Sequence, residues 1–277
     1  MKKVALAFTA LITLTGSAFA ADMAPHAYSK AAGPMMAAPS WTGFYIFGGA
    51  GGGLWAADSG VESTGVTTPL GGTFGPAGTT LSRDQRQGGS GWFGTVGAGY
   101  DWQFSGRWVA GIFGDGQFGK ISGSLTDTFF KTEGLETLRT SYAAGVRLGY
   151  LVAPNVLSYV NAGYSGSGWS GTTLSDLVAP IKANATTPSF HRQGWFVGGG
   201  VENNLDILGI SAPGWFLKTE YRTAFYGRAK LPETETPPNI LTGLTGTAVT
   251  FKPTVQTIST SLVYRFNWAG APVSARY

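Results

Sequence analysis

The sequence predicts an all-β fold, an eight-stranded antiparallel up-and-down β-barrel with short turns at one end and long loops at the other. Three observations carry that expectation. Long segments alternate apolar and polar residues at period two, a strand signal rather than a helix signal. The gaps between them, 56–88, 104–106, 122–137, 152–155, 171–189, 206–213 and 230–252, run long, short, long, short, long, short, long. The 277 residues hold 43 Gly, 17 Phe, 11 Tyr and 9 Trp, no Cys, and only 12% charged residues. Such aromatic content and low charge exclude a disordered chain, and the lack of cysteine excludes a disulfide scaffold or a Cys-based metal or redox site.

Lys2 and Lys3 precede an apolar run from Val4 to Leu14, and small residues follow, ending in Ala18-Phe19-Ala20. Residues 1–20 therefore read as a cleaved secretory signal. Residues 21–40, rich in Ala, Pro and Met and without a period, read as a periplasmic lead-in. The barrel is expected over 41–266, with a C-terminal tail at 267–277. No apolar run after the signal approaches the ~20 residues of a helical span, so a membrane-spanning protein would have to be a closed barrel.

The alternation is clearest by parity. In the second strand Trp92, Val96, Ala98, Tyr100 and Trp102 oppose Thr95, Gly97, Gly99, Asp101 and Gln103. The third sets Trp108, Ala110, Ile112 and Phe118 against Arg107, Gly111, Asp115 and Gln117, and the fourth sets Leu138, Tyr142, Val146 and Tyr150 against Arg139, Ser141 and Arg147. Trp215, Leu217, Tyr221 and Phe225 oppose Lys218, Glu220 and Arg222 in the seventh, and Ile258, Leu262, Tyr264 and Phe266 oppose Ser259, Ser261 and Arg265 in the eighth. Glycine interrupts the parity in the first (about 41–55), fifth (about 156–170) and sixth (about 190–205). Ser105-Gly106, Ala153-Pro154-Asn155 and Pro213-Gly214 supply turn chemistry in the short gaps.

The apolar face is expected to look at lipid, because its aromatics sit at both strand ends, as in interfacial girdles. Trp92, Trp102, Trp108, Phe118, Tyr142, Tyr150, Trp215 and Phe225 make up that girdle. The polar face then lines a lumen holding Asp101, Arg107, Asp115, Arg139, Arg147, Glu202, Lys218, Glu220, Arg222 and Arg265. Six basic against four acidic groups suit internal ion pairing, and eight strands leave an interior that side chains fill. Inward glycines such as Gly97, Gly99, Gly111, Gly145 and Gly149 are expected to make room for the long charged side chains.

On these residues the chain resembles a known group. WTGFYIFGGAGGGLW, from Trp41 to Trp55, resembles the first strand of alphaproteobacterial outer-membrane proteins of the immunogenic-protein type. SLVYRFNWAGAPVSARY resembles the C-terminal strand and tail of their rhizobial members. These are eight-stranded barrels related to the transmembrane domain of outer membrane protein A. The resemblance implies a Gram-negative outer-membrane location, and an even strand number with short periplasmic turns is expected to place both termini on the periplasmic side. The resemblance also implies roles in envelope integrity, surface antigenicity and sometimes small-solute passage. Such barrels usually end on an aromatic read by the barrel assembly machinery. Here Leu262, Tyr264 and Phe266 are taken as that signal rather than Tyr277, since Pro272 breaks the regularity beyond Phe266. Deleting 267–277 tests this, and complete loss of assembly would count against it.

Other motifs carry little. Gly114, Gly116 and Gly119, and again Gly166, Gly168 and Gly171, match GxGxxG but lie in strands rather than at a strand-to-helix turn. His26 and His191 are the two histidines, and His191 has no hydroxyl or acid in strand register. Glu233 and Glu235 read as solvated loop charges. No catalytic residue, cofactor or metal is expected, and no basic cluster of the kind that tracks nucleic acid occurs. The expected partners are outer-membrane lipid and lipopolysaccharide, the assembly machinery, and host, phage or antibody molecules at the long loops. A low-conductance channel is the alternative function, and a soluble ligand-binding barrel the third.

Overall fold

The structure is a computed structural model, and it describes residues 40–68, 71–178, 180–236 and 243–266. The expected signal, the expected lead-in up to residue 39 with His26, and the expected 267–277 tail lie outside the described residues.

Among the described residues the chain forms eleven strands in one antiparallel sheet. They are β1 (Gly43–Ser63), β2 (Gln85–Phe104), β3 (Trp108–Asp127), β4 (Thr132–Ala153), β5 (Val156–Trp169), β6 (Thr172–Asp176), β7 (Ala183–Thr187), β8 (Phe190–Asn204), β9 (Trp215–Tyr226), β10 (Ala229–Glu235) and β11 (Leu244–Arg265). Eight of them close on themselves in the order β1-β2-β3-β4-β5-β8-β9-β11, sealed by antiparallel pairing of β1 with β11 from Tyr45–Arg265 to Ser63–Thr247. The short connections fall at one end. Between β2 and β3, Ser105 (φ 48°) and Gly106 (φ 74°) are both left-handed, which fits the twist of a tight hairpin. A single 3-10 turn, Leu205–Leu208, follows β8. The Asn204 side chain caps it by accepting from the Asp206 amide at 2.8 Å, and Gly209 (φ 76°) ends it.

The expected count of eight strands needs correction at the other end. Much of the expected long gaps is sheet. β1 runs on to Ser63, β3 and β4 extend to Asp127 and back from Thr132, and β6, β7 and β10 occupy parts of the last two long gaps. β6 and β7 form a hairpin whose outer edges pair with β4 (Thr132–Asp176) and β10 (Thr234–Thr186), while β10 pairs with β11. The ring therefore has two storeys. In the second storey β10, β7 and β6 bridge from β11 to β4, above the ends of β5, β8 and β9. Sequence parity misses this storey because Gly, Ser and Thr occur on both faces of its strands, as in Gly119-Lys120-Ile121-Ser122-Gly123-Ser124.

Candidate functional site

Outward and inward faces divide by polarity. The outward side chains of the lower storey are large, apolar and exposed: Phe44, Ile46 and Leu54 on β1, Val96 and Tyr100 on β2, Ile112 on β3, Val146 and Leu148 on β4, Ile258 and Leu262 on β11. All eight aromatics expected in a girdle point outward, from Phe225 at 36% exposure to Trp92 at 79%. Several rings cover glycines of the neighbouring strand: Phe118 lies over Gly94 and Tyr142 over Gly166, where a Cβ would collide with the ring. Above this band the outward face turns polar on successive strands, with Asp58 above Leu54, Arg86 above Trp92 and Lys120 above Phe118. Leu262 and Phe266 are exposed and Tyr264 half-buried, with the Tyr264 ring packed on Trp215 (5.1 Å) and Phe266 (5.1 Å).

Eight of the ten lumen charges come together inside, in two layers. Near the short-turn end Arg147 Nε donates to Asp101 Oδ1 at 2.7 Å and Nη1 to Glu202 Oε2 at 3.1 Å, and its Nη2 also meets Asp101 Oδ2. Arg265 Nε donates to Glu202 Oε1 at 2.8 Å, and its Nη2 lies 2.8 Å from Asp101 Oδ2. The two guanidiniums stack on rings, Arg147 over Tyr45 and Arg265 over Trp41, each at 4.4 Å. One layer further in, Arg222 takes Asp115 bidentately (3.0 and 2.7 Å) and Glu220 (2.7 Å). Glu220 also accepts from Tyr159 (2.8 Å) and Asn161 (3.0 Å), and Lys218 Nζ sits 3.2 Å from the centre of the Phe47 ring. Buried charges are tolerable when paired and hydrogen-bonded in this way.

Arg107 and Arg139 correct the expectation. Arg107 belongs to the β2–β3 turn, before β3 begins, and is exposed with its guanidinium toward the Tyr150 hydroxyl (3.5 Å). At Arg139 the parity flips. Bulges between Phe118 and Ile121 and between Leu138 and Thr140 turn Arg139 outward and bury Leu138. The inward glycines also serve differently than expected. Gly97, Gly99 and Gly145 clear space for the rings of Phe47, Tyr45 and Phe196, and Gly111 alone among the three strands' examples faces a charge, the Asp101 carboxylate.

The second storey has its own core, which sequence reasoning did not find. Phe251 sits among Trp55, Trp169 and Phe190 at centroid distances of 5.4, 5.2 and 5.8 Å, closing the interior above the charged layers. Leu125, Leu231 and Val249 are buried in the same cluster, and Leu174 is fully buried as well. Three carboxyl groups are raised here, Asp127 among them by burial. Burial pushes Glu136, whose carboxylate accepts from Thr172 (2.9 Å), up to about 7. Burial, and next the Asp127 charge, push Glu233 up to about 8. Glu233 is 1% exposed, so it is not a solvated loop charge. Glu235 is half-buried at the end of β10, its amide donating to the Gly243 carbonyl at 2.8 Å.

At the far tip the surface is apolar. Phe74 packs on Phe129 (5.2 Å) and Phe130 (6.0 Å), and Leu177, Val178 and Ile181 are exposed, Ile181 at 72%. A cleft of about 370 Å³ lies between Phe130, Lys131, Asp176, Leu177, Val178, Pro180 and Lys182. His191 is exposed on β8, both GxGxxG matches lie in or beside strands, and no group of three His, Cys, Asp or Glu could hold a metal among the described residues.

Fold and interior together define a class: an antiparallel ring with apolar side chains outside and charges inside. No family model and no curated protein matches the chain. Among solved structures it is similar to Neisserial surface protein A (15% identity, 81% of this chain and 98% of that one, TM-score 0.34). It is also similar to the outer membrane protein OprG from Pseudomonas aeruginosa (11%, 81% and 97%, 0.38) and to the outer membrane protease OmpT from Escherichia coli (9%, 84% and 99%, 0.40). These likenesses carry no functional argument, and the proposed function rests on this chain's own residues.

Proposed function

We propose that this chain is an outer-membrane β-barrel with a structural role in the envelope, whose second storey is the surface-facing, partner-contacting part. One observation carries the reading: the lower ring is inside-out, with exposed aromatic and aliphatic side chains outside and paired charges within. Such a face is stable against hydrocarbon and a liability in water. The outward charges that begin at Asp58, Arg86 and Lys120 mark where the apolar band ends. On this reading the short turns and both termini are periplasmic, and the exposed Leu177, Val178 and Ile181 tip is the contact surface for host, phage or antibody molecules. The first-strand resemblance to immunogenic outer-membrane proteins points the same way.

The filled interior favours this role over solute passage. Purified protein in planar bilayers is expected to give no steady open-channel current, and a regular conductance step would favour the channel reading. Because the chain has no cysteine, single introduced cysteines test the topology without background. Ile181→Cys is expected to react with a membrane-impermeant maleimide on intact cells, and Ser105→Cys only after the outer membrane is breached. The opposite pattern would invert the orientation, and equal labelling in a detergent-free soluble fraction would overturn the membrane assignment.

A further inference from the structure

The β3–β4 hairpin meets β10 through two buried carboxyl groups, and neither belongs to the lumen network. Asp127, at the end of β3, is 0% exposed and Glu233 1%. From the hairpin, the amides of Phe129 and Phe130 donate to Asp127 Oδ1 at 2.6 and 3.1 Å. From β11, the Thr247 hydroxyl donates to Glu233 Oε2 at 2.5 Å, while Thr245 bonds Thr247 (2.7 Å) and the Glu233 carbonyl (3.1 Å). That satisfies one oxygen of each acid. No N–H or O–H group of the described residues reaches Asp127 Oδ2 or Glu233 Oε1, and no described Lys, Arg or His pairs with either acid. The charged group facing each acid is the other acid. Two acceptors meet without a donor, and burial forbids two like charges there, so a proton between them is the missing donor.

We propose that Asp127 and Glu233 share a proton and act as a latch that holds the second storey shut in acid and releases it as the pH rises. The proposal does not depend on which side of a membrane the storey faces. The sign follows from burial, which raises both groups, Glu233 to about 8, above the ordinary carboxylate range. The closed storey then holds a proton that an opened one gives up. Its stabilisation is complete below about pH 4 and is lost as pH rises through about 8.

Hydrogen exchange of the detergent-purified full chain, corrected for intrinsic rates, reads the opening locally. Protection of amides in β10 and around Asp127 is expected to fall by about two orders of magnitude between pH 6 and pH 9, while β2 and β9 stay unchanged. Glu233→Gln supplies an amide donor to Asp127 Oδ2 and is expected to flatten the profile. Asp127→Asn, which supplies the donor from the other side, does the same and serves if Glu233→Gln does not fold. Glu136→Gln should leave most of the profile intact. Protection that is constant or rises with pH in the unsubstituted protein overturns the latch, as does a profile kept in both pair variants. Restoration of protection at pH 9 by added calcium or magnesium ions also overturns it, since a cation rather than a proton would then bridge the pair.

Discussion

Replacing Arg147 with alanine is expected to destabilise the folded ring by about 3–5 kcal/mol, the usual cost of stranding a buried charge by removing its partner. Arg147 ties β4 to the layer that also joins β2, β8 and β11 through Asp101, Glu202 and Arg265. Without it a single arginine faces two buried carboxylates. Urea unfolding in detergent or lipid, followed by loss of the heat-modifiable band, gives the number. Arg107→Ala is the control: an exposed turn arginine is expected to stay within about 0.5 kcal/mol of the parent. Equal losses in the two variants would mean that the layer contributes nothing specific.

Phe251→Ala is expected to cost about 3–5 kcal/mol by leaving a ring-sized cavity where Trp55, Trp169 and Phe190 converge. The loss should be local. Phe251 sits where β11 passes from the lower ring into the second storey, opposite Ala229 of β10 and Ser59 of β1. Limited proteolysis of the variant is expected to trim the second storey while the lower ring remains heat-modifiable. Simultaneous loss of both would show that the two storeys unfold as one unit.

The lower ring was readable in the sequence because there the two faces differ in kind. Trp92, Val96, Tyr100 and Trp102 alternate with Thr95, Gly97, Gly99 and Asp101, so parity alone assigns every side chain. Parity failed where both faces are apolar or both small. Phe44, Tyr45, Ile46 and Phe47 form an unbroken apolar run in which Tyr45 and Phe47 are buried and their neighbours exposed. In the second storey Glu233 stands between Pro232 and Thr234, a composition that reads as loop, and its surroundings are Thr247 on the next strand and Asp127, far away in the chain. The bulges that turn Arg139 outward are properties of paired strands, and a single strand's sequence carries no mark of them. Charge pairing was anticipated as a balance of signs, but the partners were not: Arg222 with Asp115 joins β9 to β3 across the interior.

The seam between β1 and β11 also governs how the ring can be made. Each other pairing in the lower ring joins strands far nearer to one another in the chain, even where β6 and β7 or β10 intervene, so those pairings can form as their residues become available. The seam joins Tyr45 to Arg265 and Ser63 to Thr247, and it waits for the last strand to arrive. Until then both edges stay unsatisfied, each a template for mispairing with another chain, and the entropy of closing so long a loop makes sealing slow relative to hairpin formation. A truncation within β11 would therefore leave two open edges rather than one short strand, and aggregation during biogenesis, more than weakness of the finished ring, is the failure to which this topology is most prone.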